Sequence, residues 1–135
     1  MLGWLKNLAR RASRVPAKDT LGHRGESAAA EFLRKRGYKI LCRNYRCDVG
    51  ELDIVARDGQ TLVFAEVKTR AYDEPAPEAQ VNAHKQHQLT KAARHFLARY
   101  GAQPPPARFD VIAVVWPNGR EPAIRHIPHA FEATF

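Results

Sequence analysis

The chain has 135 residues, enough for one domain with a real core and too few for two. Lysine and arginine outnumber acids 22 to 14, giving a net charge of +8 and a pI near 9.9, so the expected partner is a polyanion: nucleic acid first, an anionic membrane second. The longest continuous apolar run, Val111 to Trp116, is far shorter than a bilayer, which argues against a helical membrane span.

Residues 1–18 contain Lys6, Arg10, Arg11, Arg14 and Lys18 with no acid, while Trp4, Leu5, Leu8 and Ala12 fall at helical spacing. This reads as a basic amphipathic arm, either a loosely ordered terminus or a segment that touches a membrane surface or a nucleic-acid backbone. Residues 19–135 read as a single domain. From Thr20 a helical stripe of Gly22, Gly25, Ala29, Phe32, Leu33 and Arg36 runs to a stop at Gly37, and Glu26 lies on the inward edge of that stripe, where an acid needs a partner.

Tyr38 to Tyr45 reads as a first strand, Glu51 to Ala56 as a second and Thr61 to Lys68 as a third. Cys42 and Cys47, the only cysteines, are about 16 Å apart in an extended segment, too far to bridge, as expected of a chain from a reducing compartment such as the cytoplasm. Residues 71–80 hold Asp73, Glu74, Glu78, Pro75 and Pro77 and read as an exposed acidic loop. Asn82 to Tyr100 forms a second helix with a stripe of Leu89, Ala92, Ala93, Phe96, Leu97 and Tyr100, extended one turn backwards by Lys85 and Gln86. His84, His87 and His95 on it lack the further close ligands that structural zinc needs. Phe109 to Trp116 is a buried strand, Pro117-Asn118-Gly119 a turn and Ala123 to Ile127 a last strand, with a packed turn or short helix around Phe131. Asp110 is a candidate cap or a partner for Arg108. The order αβββαββ predicts a mixed α/β (α+β) fold, one five-stranded mixed sheet flanked by two helices.

The chemistry concentrates on the second and third strands. Asp58-Gly59 between two alternating runs signals a two-residue hairpin loop. With that loop, Val55 pairs with Leu62, Asp53 with Phe64 and Glu51 with Glu66, and Glu51, Asp53, Glu66 and Lys68 all emerge on the face that carries Leu62 and Phe64. Asp53 is then the diagonal neighbour of Glu66, roughly 7–8 Å away in the backbone. Carboxylates crowded onto a partly apolar surface repel and lose hydration, and a divalent cation removes that cost. Glu-Val-Lys alone reads as a solvated ion pair; with Asp53 on its face, Glu26 inward and the basic charge, it becomes a candidate metal site. Glu51 opposite Glu66 needs either a bulge at Gly50 or a second metal.

Gly25-Glu26, Gly50-Glu51-Leu52-Asp53, Phe64-Ala65-Glu66-Val67-Lys68-Thr69-Arg70 and Arg108-Phe109-Asp110-Val111, in this order, resemble the bacterial YraN-like family over about residues 21–131. That family in turn resembles restriction-endonuclease-like nucleases and archaeal Holliday-junction resolvases. The resemblance implies a restriction-endonuclease-like fold in which Asp53, Glu66 and the Val67 carbonyl bind Mg2+ or Mn2+. It also implies that Lys68 orients or activates the attacking water and that Glu26 completes the site. Gln86 or Gln88 matches a helix glutamine of some branches, and Glu51, Arg70 and Lys85 are supporting or nucleic-acid-binding candidates.

The expected function is metal-dependent hydrolysis of a phosphodiester in DNA, branched or structured DNA included. The alternative is a nuclease fold kept as a nucleic-acid-binding or assembly module with slow or absent catalysis. Two active sites on a branched substrate are compatible with a symmetric homodimer, although no long apolar seam in the sequence requires one.

Overall fold

The computed structural model describes residues 20–134, so the basic arm at 1–18 lies outside the described residues. Helix α1 spans Leu21–Lys35, strands β1, β2 and β3 span Lys39–Cys47, Gly50–Asp58 and Thr61–Arg70, helix α2 spans Ala83–Leu97, and β4 and β5 span Ala107–Val115 and Ala123–Phe131. A 3-10 turn, Pro77–Gln80, precedes α2 and another, Ala98–Tyr100, extends it. The order is the expected αβββαββ. The strands form one mixed sheet in sequence order, antiparallel except for the β3–β4 pair, which is parallel. A parallel pair needs a crossover, and here the crossover is α2.

Each helix covers one face of the sheet, because the strands alternate two apolar sets. Val55, Leu62, Phe64, Phe109 and Val111 pack with Leu89, Ala92, Ala93 and Phe96 of α2. Ile54, Ala56, Val63, Ala65, Ile112 and Val114 pack with Ala29, Ala30 and Leu33 of α1. Both helix starts are capped as their sequences suggest: Thr20 accepts from the His23 N–H at 3.1 Å and Asn82 from the Lys85 N–H at 3.0 Å. Among the described residues, no helix is long and apolar enough to cross a membrane.

Two expectations are corrected. The hairpin loop is Gly59-Gln60, since Asp58 pairs with Thr61 and Val55 with Phe64. Positive φ at Gly59, +61°, followed by an ordinary residue is the Gly-X pattern of a II′ turn. Asp58 is kept in the ladder by the guanidinium of Arg108, 3.3 Å from its Oδ2. The last strand also continues past Ile127 to Phe131 instead of ending before a packed turn. Pro128 is tolerated because β5 is an edge strand, and the Phe131 ring stacks on Phe109 at 4.7 Å.

Asp110 is the expected partner of Arg108, but in a larger cluster. It is fully buried and accepts from Arg108 Nε at 3.0 Å, from the His129 N–H at 3.2 Å and pairs with His126 Nε2 at 2.7 Å. Burial alone would raise its pKa, yet the hydrogen bonds from His126 and Arg108 hold it below the ordinary carboxylate value. Arg108 also donates to the Tyr38 hydroxyl at 2.8 Å, tying the start of β4 to the chain between α1 and β1.

Gly25 explains half of the Gly25-Glu26 motif. Its backbone lies so close to β3 that a Cβ there would overlap Thr69 Oγ1 and fall 2.8 Å from Thr69 Cβ. Gly25→Ala should therefore lift α1 from the sheet and destabilise the domain by about 1–3 kcal/mol, measured by urea unfolding. An unchanged midpoint would mean that α1 does not need this contact.

Candidate metal centre beside an open cleft

The site begins where the β2–β3 ladder stops. Its last inner pair is Ile54↔Ala65, and one step further the same register sets Asp53 directly opposite Glu66. There the Val67 N–H donates to Asp53 Oδ2 at 2.9 Å. The expected sharing of a face survives the change of loop, since each strand moved by one residue and parity is unaltered. What changes is proximity: Asp53 becomes the direct rather than the diagonal neighbour of Glu66.

Glu66 is 3% exposed, which removes it from the class of solvated strand ion pairs. Its Oε2 lies 3.4 Å from Lys68 Nζ and 3.2 Å from Lys85 Nζ, the latter arriving from the first turn of α2. Its Oε1 is buried and takes no hydrogen bond from an N–H or hydroxyl group among the described residues, which leaves the Asp53 carboxyl as the neighbour that can share a proton with Glu66. Asp53 is partly buried beside it, with its pKa well above the ordinary carboxylate value. Burial is the largest cause, followed by repulsion from Glu66 and a carboxyl-to-carboxylate hydrogen bond with Glu66 that only the protonated form can make. The Val67 N–H opposes this, and the charge of Glu26 adds to it.

Glu26 comes from α1, on the other face of the sheet, and stands within electrostatic reach of both Asp53 and Glu51. Burial raises its pKa against the opposing charge of Arg43. Glu51 does not oppose Glu66. It pairs with Arg46 on β1, at 3.4 Å between Nε and Oε2, and is exposed, so neither a bulge at Gly50 nor a second cation is needed to account for it. The irregularity in that pair of strands lies between Ile40 and Cys42.

The remaining sequence candidates divide. Lys85 and Gln88 line an open cleft of about 450 Å³ with Arg46, Cys47, Asp48, Gly50 and Glu51. Gln86 instead donates to the Val81 carbonyl at 3.0 Å, holding the start of α2. Arg70 donates through Nε to the Gln80 side-chain oxygen at 3.0 Å and lines a separate cleft. Asp48 carried no signal in the sequence, and the contact of Lys85 with Glu66 had none either, because 19 residues and a loop separate them.

Among the described residues, no group of three or more histidine, cysteine, aspartate or glutamate side chains is gathered for a metal ion. The donors at hand are the Asp53 and Glu66 carboxylates, with the Val67 carbonyl next to Glu66 in the chain. Such a set fits a hard cation that keeps several of its waters, as Mg2+ does. The orphaned Glu66 oxygen is the observation that favours this fit, for an unpartnered buried anion is costly and a cation relieves it.

The profile of the uncharacterised protein family UPF0102 matches residues 25–114. The chain is 49% identical over 117 residues to a UPF0102 protein of Geobacter metallireducens, covering 86% of this chain and 95% of the relative. It is 50% identical over 117 residues to one of Symbiobacterium thermophilum, covering 84% and 97%.

The raised pKa of Asp53 has a direct consequence for stability. A carboxyl whose folded pKa exceeds its unfolded value stabilises the fold at low pH and loses that contribution as pH rises through the folded pKa. Asp53→Asn should thus raise the melting temperature of metal-free protein at neutral pH by roughly 3–6 °C, with the gain shrinking towards pH 4. A variant less stable than wild type at neutral pH would contradict a strained carboxylate pair.

Proposed function

The chain belongs to the uncharacterised protein family UPF0102, the YraN-like family, and we propose that it is a magnesium- or manganese-dependent endonuclease-like enzyme that hydrolyses a phosphodiester in DNA. The observation that carries this reading is the buried Glu66 with one oxygen unpartnered, facing Asp53, beside a lysine-bearing cleft in a chain of net charge +8.

Asp53, Glu66 and the Val67 carbonyl would hold the cation. When bound, it lowers the pKa of a coordinated water and neutralises charge at the phosphorus centre. Lys68 holds an ammonium 3.4 Å from Glu66, where it can donate to the nucleophilic water or to a phosphate oxygen and stabilise charge developing there. The Val67 N–H fixes the Asp53 carboxylate in place. Glu26, at the edge of the pair, adds negative charge that favours a cation at Asp53. On the cleft wall Lys85 and Gln88 would supply donors for the sugar-phosphate backbone, contacts that position a strand without reading its sequence, with Arg46 shared between Glu51 and such a strand. The two free thiols, Cys42 and Cys47, suit a reducing cytoplasm.

A second reading keeps the fold and the binding but not the cut. Its support is the saturation of Glu66 Oε2 by two ammonium groups, an arrangement that also suits a purely structural ion cluster.

Cleavage of labelled duplex, flap and four-way DNA with Mg2+ or Mn2+ separates the two. The enzyme reading expects cutting of at least one substrate, reduced about 100-fold or more by Asp53→Ala, Glu66→Ala and Lys68→Ala with binding largely kept. Binding with steep salt dependence but no cutting of any substrate supports the second reading. Cutting that survives Asp53→Ala and Glu66→Ala overturns the first.

A further inference from the structure

Resting on the metal-site reading above, we infer that Lys85 is a built-in competitor of the metal: its ammonium occupies Glu66 while the cation is absent, and metal binding displaces it into the cleft, where it takes a phosphate oxygen of the nucleic acid.

Glu66 Oε2 is shared by two ammonium groups at 3.2 and 3.4 Å, while Oε1 of the same carboxylate takes no hydrogen bond from an N–H or hydroxyl group among the described residues. A divalent cation bound at Glu66 and Asp53 would bring a third positive centre within a few ångströms of both lysines, and like charges at that range repel strongly in a poorly hydrated site. One ammonium has to withdraw. The two are not equally free to do so. Lys68 is fixed to the same strand two residues from Glu66 and is not part of the cleft wall, whereas Lys85 lines the 450 Å³ cleft and has open volume to swing into. Its destination holds Gln88 and the Arg46–Glu51 pair with Asp48 on the same wall, so an ammonium arriving there meets carboxylates that balance it and stays open to a phosphate.

The position of Lys85 in its helix fits the same conclusion. It lies in the first turn of α2, where the helix dipole disfavours cations, and that turn contains no acid to compensate. A lysine there is supported by an anion outside the helix: Glu66 in one state, a phosphate in the other. Metal and nucleic acid would then favour each other's binding through Lys85, as linkage requires of two ligands that bias one residue the same way.

Three measurements on the full chain without nucleic acid test this. In calorimetric Mn2+ titrations, Lys85→Met and Lys85→Gln should bind roughly tenfold more tightly than wild type, and Asp53→Asn at least tenfold more weakly. Thermal melts of each variant verify folding, and two neutral replacements guard against one that misfolds. In amine acetylation read by mass spectrometry, adding Mn2+ should raise the reactivity of wild-type Lys85 several-fold relative to Lys68. If wild type binds Mn2+ through Asp53 while both Lys85 variants bind it no better, or if Lys85 reactivity falls or merely tracks that of Lys68, the displacement is wrong and the metal site stands. If wild type binds no Mn2+, the metal reading fails and this inference falls with it.

Discussion

A carboxylate held almost out of water in the middle of a sheet governs the arrangement of charge in this protein. Removing an ion from water costs several kcal/mol even after relaxation, and Glu66 meets that cost through two ammonium groups on one oxygen. Those attractions leave its other oxygen unanswered and do nothing for Asp53, whose ionisation the same burial and the same neighbour oppose. The strain at the site is thus one of placement: two ammonium groups stand against two carboxylates, yet both sit on one oxygen of Glu66 and neither is bonded to its other oxygen. On the proposed reading, a small hard cation between the two carboxylates would serve the oxygens that the lysines leave.

Two other groups of acids at the sheet are matched by cations. Asp110, buried more completely than Glu66, is satisfied by Arg108, His126 and the His129 N–H. Asp73 and Glu78, in the acidic stretch after β3, are both clamped by Arg125, with Nη2 2.8 Å from Asp73 and 2.7 Å from Glu78. That clamp anchors the connection from β3 to α2, and it removes an acidic patch that would otherwise repel a polyanion. The contrast identifies Glu66 more sharply than its burial alone does. Of these three groups of acids, the pair at the end of the β2–β3 ladder is the one with a buried carboxylate oxygen that no N–H or hydroxyl group reaches.

The common face of Asp53, Glu66 and Lys68 was legible in the sequence because strand alternation depends only on parity, and moving the hairpin loop by one residue in each strand preserves parity. The loop itself was not legible. Asp58-Gly59 and Gly59-Gln60 both satisfy the local rules for a tight turn, and the choice is supported by Arg108, fifty residues further along, holding Asp58 at the end of the ladder. The same limit explains the length of β5, where Pro128 speaks locally against a strand while the Phe109–Phe131 stack favours one. Gly25 was recognisable as part of a motif, but its reason, the close approach of Thr69, exists only once α1 is laid on β3. Lys85 was visible as an extension of the α2 stripe, and its ion partner lies across a connection whose path the sequence leaves open.

The parallel β3–β4 pair ties these features together. Because parallel neighbours require a crossover, the chain leaving β3 must travel back over the sheet as α2, and its first turn comes down beside the end of the strand that has just delivered Glu66 and Lys68. Ligands of α/β sheets collect at such strand ends for this reason: the backbone there has finished pairing, and helix starts surround the opening. In this domain the ladder between β2 and β3 gives out at the same place, so Asp53 is freed to face Glu66 as α2 brings Lys85 within reach. Topology thereby assembles two acids from a hairpin and two lysines, one from a strand and one from a helix, without any of the four being close to all the others in sequence. An antiparallel arrangement of β3 and β4 would need no helix there, and Glu66 would lose the ion partner best placed to give way.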